Sequence, residues 1–189
     1  MNNLTVSDIN ADVSMLMESF KSDDRNIPSP VKIFKVSITV PVIALFFSFI
    51  SILSVYLTVY TERATLDGFF EYVLSEGWAV VVPTVIIGLF ILPMTYNNIM
   101  MYMFIPKEVR VKSIILSHLR KITKRTVTVF LLLMLIASLL TTFSFWLAFA
   151  IPALECVFLF AVSLIVSAEI NRLGAGIALE KISKLISKI

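Results

Sequence analysis

Side chains capable of catalysis or metal binding are scarce in this sequence. It contains one His and one Cys among 189 residues. The single His, His118, has no nucleophile and carboxylate at a spacing that would form a catalytic triad. The sequence also lacks H-E-x-x-H, G-x-S-x-G, P-loop and Rossmann glycine motifs. We therefore expect a protein that is not an enzyme and that has no cofactor or metal ion.

The apolar residues occur in long runs. Hydrophobic residues make up 58% of the chain and its mean hydropathy is +0.93, whereas soluble domains are about 45–50% apolar. Helical runs of about 20 apolar residues cross a bilayer core. We predict an all-α polytopic membrane protein whose four-helix transmembrane domain covers residues 36–170. The predicted spans are residues 36–60, 78–105, 127–149 and 152–170, with a tight helical hairpin at Pro152.

The charges predict the orientation of these spans. Residues 107–125 contain seven Lys/Arg and one acid, whereas residues 61–77 contain one Arg and four acids. Basic residues near span ends stay in the cytoplasm. We therefore expect a bacterial inner-membrane protein with both termini and the 106–126 loop cytoplasmic, and with residues 61–77 outside. Trp78 and Trp146 then lie at the outer interface. The basic residues concerned are Lys107, Arg110, Lys112, Arg120, Lys121, Lys124 and Arg125.

The same basic cluster has two interpretations, a membrane-surface feature or a nucleic-acid site. Nucleic-acid sites on single strands interleave aromatic and basic residues, and that pattern is absent from residues 107–125. The cluster is therefore expected to set topology and to contact anionic lipid headgroups, with no nucleic-acid partner. His118 is expected on a helix face near the headgroups.

Both ends of the chain are predicted to be amphipathic helices. Residues 1–27 form a cytoplasmic segment whose apolar residues recur with helical spacing, and Thr5 with Asp8 resembles a capping box. This apolar face needs a partner, which is this chain, another copy or another protein. Residues 28–35 are predicted to be a stiff Pro-containing linker. Residues 171–189 are predicted to be a basic amphipathic tail on the inner leaflet. The N-terminal apolar residues are Ile9, Val13, Leu16, Met17 and Phe20.

Ionisable residues inside the spans were placed by counting along each helix. Glu155 is predicted about one turn from the outer end of the fourth span, and Glu169 near its inner end. Arg172 is three residues beyond Glu169, which predicts an intramembrane ion pair. Both carboxylates are interpreted as groups at the membrane interface, with a contact in a helix–helix or partner interface as the alternative. On this placement no charge lies near the midplane, which argues against an ion-coupled carrier.

The outer loop is the remaining distinctive segment. Its sequence LDGFFEYVL, residues 66–74, predicts a short helix lying on the outer surface. One interpretation is an interfacial helix that buries its aromatic rings among headgroups. The other is an acidic, aromatic recognition surface, because aromatic residues are common interface anchors. The recognition residues in the second interpretation are Phe69, Phe70, Glu71, Tyr72 and Glu76.

The layout resembles that of the TraS-type entry-exclusion proteins of F-like conjugative plasmids. The resemblance is carried by a short polar N-terminal segment ending in IPSPVKIFKV, followed by hydrophobic spans separated by a basic cytoplasmic loop. It covers most of the chain and rests on architecture, with no diagnostic motif. The resemblance implies a recipient-cell protein that blocks redundant conjugative DNA transfer by recognising the donor's TraG-type protein.

Other functions remain open from the sequence. The span count and internal termini also look similar to immunity proteins against pore-forming colicins, which would imply binding to a toxin domain within the bilayer. An accessory subunit of a larger membrane complex would explain the amphipathic N-terminal segment. A homo-oligomeric channel is disfavoured because two stripes of hydroxyl residues are too sparse to line a path. These are Ser48, Ser51 and Thr58, and Ser138, Thr141 and Thr142. All remaining interpretations share protein–protein recognition in the membrane.

Overall fold

The chain folds into a bundle of membrane-length helices. The computed structural model describes residues 5–19, 28–60 and 64–174. In these ranges 91% of residues are helical and none is in a strand, which confirms the predicted all-α polytopic class. Four segments are long and apolar enough to cross a membrane: Pro30–Val59, Leu66–Phe104, Ile114–Leu140 and Phe145–Arg172. The helices are α1 (Val6–Ser19), α2 (Pro30–Val59), α3 (Leu66–Tyr72), α4 (Trp78–Phe104), α5 (Lys107–Lys112), α6 (Ile114–Leu140) and α7 (Ala150–Arg172).

The first span begins earlier than the sequence predicted. Ser29 has extended backbone angles and Pro30 is the first residue of α2. Proline suits this position because its fixed φ angle is helical and the first N–H groups of a helix have no intrahelical acceptor. The predicted linker over residues 28–35 is therefore wrong for residues 30–35, which are helical. Residues 20–27 lie outside the described part of the chain.

The second span is continuous with the segment that precedes it. The helix α3 passes through a π-helical turn, Val73–Gly77, directly into α4. The predicted separate surface helix over residues 66–74 is thus the start of a 39-residue helical segment. Gly77 allows this segment to run close to α2, because a Cβ there would lie 3.0 Å from Ile52 Cγ2.

The hairpin between the third and fourth spans turns at residues 141–144, which is 8 to 11 residues before its predicted place at Pro152. The helix α6 ends at Leu140, a turn covers residues 141–144, and a 3₁₀ segment, Phe145–Phe149, leads into α7. Thr141 Oγ1 donates to the Ser138 carbonyl at 2.6 Å and Thr142 Oγ1 donates to the Leu139 carbonyl at 3.1 Å. These hydroxyls satisfy carbonyls that the ending helix leaves free. Pro152 falls in the first turn of α7, as predicted.

A seam of small residues joins α2 to α4. Small side chains let helix backbones approach closely in a membrane, where burial of apolar surface does not drive association. A Cβ added at Gly88 would lie 3.1 Å from Pro41 Cβ, so glycine is required for this approach. Ser48 and Thr84 form a 2.9 Å hydrogen bond across the seam, and each hydroxyl is buried. The buried small residues of α2 on this face are Ser37, Ala44, Ser48 and Ser51.

The two ends of the bundle differ in character. The aromatic end comprises residues 52–60, 64–80 and 141–149, whose core includes Ile52, Tyr56, Tyr72 and Ala148. The basic end comprises residues 5–19, 97–126 and 165–174. Its core consists of two clusters, one around Leu16, Ile105 and Leu116, the other around Ile115 and Leu173. The N-terminal helix, the basic loop and the end of the fourth span therefore lie together at one end.

Candidate functional site: the two ends of the bundle

The centre of the aromatic end is the side chain of Tyr56, near the end of α2. Its ring lies 5.6 Å from the ring of Phe69 and 5.6 Å from that of Tyr72, measured between centroids. Its hydroxyl donates to the Thr65 carbonyl and accepts from the Thr65 N–H, both at 3.1 Å. Thr65 in turn caps α3 by accepting from the Gly68 N–H at 3.1 Å. This one side chain therefore fixes the position of the loop and of α3.

Glycine at position 68 makes the Tyr56 contact possible. A Cβ added there would lie 2.6 Å from the Tyr56 hydroxyl oxygen, which is closer than real Cβ contacts. The aromatic face of α3 is thus committed to internal packing. Tyr72 is buried and Phe69 is half-buried against this cluster. Tyr72 is therefore not on an exposed surface, as the recognition interpretation requires, and Phe69 is only partly exposed.

The opposite face of the same segment is open. Leu66, Phe70 and Leu74 follow one another at four-residue spacing, and 79%, 63% and 79% of the surface of these residues is exposed. Glu71 and Glu76 are also exposed, and neither is part of an ion pair within the described residues. Three of the five predicted recognition residues, Phe70, Glu71 and Glu76, therefore remain available to another molecule. Trp78 and Trp146 are exposed at this same end.

At the basic end, α1 docks on its own chain through Asp12. This carboxylate is 6% exposed. Its Oδ2 accepts from Ser113 Oγ at 2.8 Å and from the Ile115 N–H at 2.9 Å. Ser113 is the N-cap of α6 and accepts from the Leu116 N–H at 3.2 Å. The Asp12 charge therefore sits at the N-terminus of a 27-residue helix, where backbone N–H groups and the helix dipole favour an anion.

The apolar face of α1 packs on both sides of this contact. Leu16 is fully buried against Ile105 and Leu116. On the other side, Ile9 and Val13 pack against Ile115 and Leu173. Among the alternatives left open by the sequence, the structure places this face on the chain's own helices. Phe20, the last predicted member of the face, lies outside the described residues.

The predicted capping box at the start of α1 is present. The Asp8 N–H donates to Thr5 Oγ1 at 3.2 Å, and the Thr5 N–H donates to Asp8 Oδ2 at 3.1 Å. The Thr5 hydroxyl also donates to Asp8 Oδ2 at 2.6 Å. The hydrogen bond from the Thr5 hydroxyl, followed by that from its backbone N–H, lowers the pKa of the Asp8 carboxyl below its usual value.

A polar cluster ties α6 to α7 at the basic end. Glu169 Oε1 lies 2.7 Å from His118 Nε2 and also contacts the Arg172 guanidinium. The predicted pairing of Glu169 with Arg172 is thus present. His118, predicted to lie on a helix face near headgroups, is partly exposed on α6 and also makes this interhelical contact. Because His118 and Glu169 are 51 residues apart in sequence, no local pattern could indicate their contact.

The basic cluster lines the surface around this contact. Lys107, Lys112, Arg120, Lys121, Lys124 and Arg125 are exposed, and Arg110 is half-buried with its guanidinium 5.1 Å from the centroid of the Tyr102 ring. Lys112, Ser117, His118 and Lys121 line an open cavity of about 540 Å³. Seven cations at one end of an apolar bundle suit contact with anionic headgroups.

Glu155 lies elsewhere than predicted. It is fully buried inside the bundle, and a Cβ added at Gly88 would lie 3.4 Å from its Oε1. Gly88 also packs on Pro41, which lies six residues beyond Lys35 and 11 before Ile52. At 1.5 Å per residue, Pro41 is about 9 Å along α2 from Lys35, toward the basic end, and about 16 Å from Ile52 in the aromatic end. Glu155 therefore lies between the two ends of the bundle. The expected outer-interface position is therefore wrong. Counting along α7 misplaced Glu155 because the hairpin tip begins at residue 141.

The described residues offer little for metal or redox chemistry. In residues 5–19, 28–60 and 64–174, no group of three or more His, Cys, Asp or Glu side chains is placed to hold a metal ion. Cys156 is a free thiol that is exposed on α7. Comparison of the chain with protein-family models, with curated proteins and with solved structures finds no match. The two ends therefore have to be interpreted from their own chemistry.

Sequence reasoning missed two of the structural contacts that matter most. Asp12 interrupts the apolar face of α1 between Ile9 and Val13, and a polar residue on an apolar helix face signals a specific buried acceptor. The seam of α2 was visible as Ser37, Pro41, Ala44, Ser48 and Ser51, which recur at alternating four- and three-residue spacing. That spacing is the pattern of a close-packed helix pair.

Proposed function

We propose that this chain is a non-enzymatic bacterial inner-membrane protein that recognises another protein through its aromatic end. Its specific form, in this proposal, is entry exclusion, in which a recipient cell blocks redundant conjugative DNA transfer by recognising a donor TraG-type protein. Anionic lipid headgroups contact the basic end. The proposal has three supports, which are the exposure of the aromatic end, the distribution of charge and the architectural resemblance.

The distribution of charge supports an outward aromatic end. Lys32, Lys35 and the basic cluster lie toward the basic end, and such residues are retained in the cytoplasm. The described contacts bring α1, the basic loop and the end of α7 together. If the basic end lies in the cytoplasm, all of these segments agree with the cytoplasmic retention of basic residues, and the N-terminus and C-terminus are cytoplasmic.

The length of the helices supports exposure of α3 beyond the hydrocarbon. Ile52 lies 17 residues beyond Lys35, which is about 26 Å along a helix. A bilayer core is about 30 Å thick. Because Gly77 packs at the level of Ile52, residues 66–74 extend from the outer edge of the core toward water. Exposed apolar side chains in that position are typical of a contact surface for a protein.

The observation that carries the proposal is the pairing of an exposed row with a fixed scaffold. Leu66, Phe70 and Leu74 form the exposed row, and Glu71 and Glu76 flank it. The Tyr56 cluster holds the segment in place from behind. A rigid segment loses little conformational entropy on binding, and an aromatic residue surrounded by charges gives both affinity and specificity.

Conjugation into recipient cells tests the proposal. Recipients expressing the protein are mated with a panel of donors carrying different F-like plasmids, and transconjugants are counted against an empty-vector recipient. We expect a large fall in transfer from one plasmid type only. The replacement of Glu71 and Glu76 by Gln, together with Phe70→Ala, should restore transfer. Neutral replacements are chosen because new cations outside would disturb the charge bias that sets topology.

Glu108→Gln is the matched control, since it removes an exposed acid at the other end. It should leave exclusion intact at equal protein abundance. Equal transfer into all recipients would contradict entry exclusion. The same strain would then be challenged with pore-forming colicins, since the span count also resembles that of their immunity proteins. An accessory subunit was favoured by the amphipathic N-terminal segment, whose apolar face needs a partner. Because α1 packs on its own chain, this segment no longer favours an accessory subunit.

A further inference from the structure

The most unusual group in the bundle is the carboxyl of Glu155. Its side chain is fully buried, and neither Oε1 nor Oε2 has a hydrogen-bond partner among the described residues. Buried polar groups in native proteins nearly always have partners. Ionisable side chains within membrane spans are rare and are usually functional. The carboxyl therefore requires an explanation that the recognition surface does not supply.

The surroundings of the carboxyl are built to accommodate it. It lies where Gly88 leaves room on α4, and Pro41 of α2 closes the same space. A side chain larger than glycine at position 88 would meet both neighbours, at 3.1 Å and 3.4 Å from its Cβ. Gly88 therefore lets Pro41 and the Glu155 carboxyl pack closely against α4 at this level. Neither Gly88 nor Pro41 presents a side-chain hydrogen-bond donor.

No counter-charge lies at this depth in the described part of the bundle. Residues 36–55, 78–95 and 127–140 contain no Lys, Arg, His, Asp or Glu. In residues 150–168, Glu155 is the one residue of these types. The nearest cation along α2 is Lys35, which is exposed and six residues, or about 9 Å, before Pro41. The nearest ionic cluster along α7 is that of Glu169, 14 residues or about 21 Å from Glu155. An ionised carboxylate without a partner in such surroundings is strongly disfavoured, whereas the neutral acid is far less costly to bury.

We propose that Glu155 is a proton-binding site in the core of the bundle, so that the assembled protein carries a carboxylic acid at this position. The ligand is the proton itself, held on a carboxyl oxygen against Gly88 and Pro41. Loss of this proton would place an unpaired charge between α7 and the α2–α4 seam. The seating of α7 on the seam therefore depends on the bound proton. This inference does not depend on entry exclusion.

Infrared spectroscopy of the full-length protein in lipid vesicles tests the site directly. The C=O stretch of a carboxylic acid is well separated from the bands of carboxylates. Labelling the protein with ¹³C-glutamate shifts this band if the acid is a glutamate. At neutral pH we expect one such band in the native protein, sensitive to the glutamate label. It should be lost in Glu155→Gln and retained in Glu169→Gln, the matched control with a paired carboxylate.

The outcomes that overturn the proposal are equally defined. Absence of a carboxylic acid band from the native protein would show that Glu155 is ionised, which contradicts the proposal. Persistence of the band in Glu155→Gln would assign the proton to a different acid. If Glu155→Gln does not fold, Glu155→Asp replaces it. The band must then lose its sensitivity to labelled glutamate and become sensitive to labelled aspartate.

Discussion

The two ends of the bundle use acidic residues in opposite ways. At the basic end, Asp12 accepts two hydrogen bonds at the start of α6, and Glu169 joins His118 and Arg172. At the aromatic end, packing is achieved by the rings around Tyr56, and Glu71 and Glu76 stay exposed. The acids at the basic end therefore hold the fold together, whereas those at the aromatic end are free for another molecule. Acidic residues thus stabilise the fold at the basic end and are exposed for recognition at the aromatic end.

The largest effect is expected at the centre of the aromatic end. Tyr56→Ala removes the ring that contacts Phe69 and Tyr72 and the hydroxyl that holds Thr65. We expect the free energy of unfolding to fall by about 3 kcal/mol, as for other aromatic truncations. Tyr56→Phe keeps the ring and should cost about 1 kcal/mol. Denaturant titrations of the purified protein in detergent measure both, and equal losses would show that the ring packing contributes nothing.

Asp12 gives the next largest effect. Asp12→Ala removes the acceptor of the Ser113 hydroxyl and of the Ile115 N–H. Loss of a buried charged acceptor at a helix start is expected to cost about 1–3 kcal/mol. Hydrogen exchange of residues 6–19 should rise at the same time, because α1 loses its polar attachment. Glu18→Gln, an exposed acid on the same helix, is the control and should change neither quantity.

A smaller effect is expected where α6 meets α7. Glu169→Gln weakens the contacts with His118 and Arg172, and we expect a loss of about 1 kcal/mol because Arg172 is largely exposed. A double-mutant cycle with His118→Ala isolates the interhelical part. Additive effects of the two substitutions would mean that His118 and Glu169 do not stabilise each other.

The capping box of α1 should respond to acid. Because hydrogen bonds from Thr5 lower the pKa of Asp8 in the folded state, its contribution is complete above the pKa of the unfolded chain. The contribution is then lost as pH falls toward the folded pKa. The protection factor against hydrogen exchange at the start of α1, which is corrected for the intrinsic pH dependence of exchange, should therefore fall on acidification, and Thr5→Ala should remove most of this dependence. A pH profile unchanged in Thr5→Ala would assign the effect to another group.

The smallest effect on stability is expected where the effect on recognition is largest. Replacing Glu71 and Glu76 by Gln removes exposed charges that have no ion-pair partner in the described residues. Such surface changes usually alter stability by no more than about 0.5 kcal/mol. Unfolding in detergent should therefore match the native protein. A destabilisation as large as that of Asp12→Ala would assign these acids to the fold, and the contrast between the two ends would fail.

The fold class was predictable from the sequence because membrane spans depend on length and composition. Four apolar runs and the early cap Thr5–Asp8 were recognisable for that reason. Helix ends were less predictable, since Pro30 starts a helix and Leu140 ends one inside an apolar run. The depth of Glu155 depended on where the hairpin turns, so an error in the turn became an error in depth. The partners of Asp12 and His118 are distant in sequence and required the structure.

The side of the membrane on which the aromatic end lies is the claim to test first. Phe70→Cys and Ser117→Cys place single thiols at exposed positions of the aromatic and basic ends, in a Cys156→Ala background. Intact cells are treated with a membrane-impermeant maleimide, and lysed cells serve as the control for reactivity. We predict labelling of Phe70→Cys in intact cells and of Ser117→Cys after lysis only. Labelling of Ser117→Cys in intact cells, with Phe70→Cys protected, would contradict an outward recognition surface.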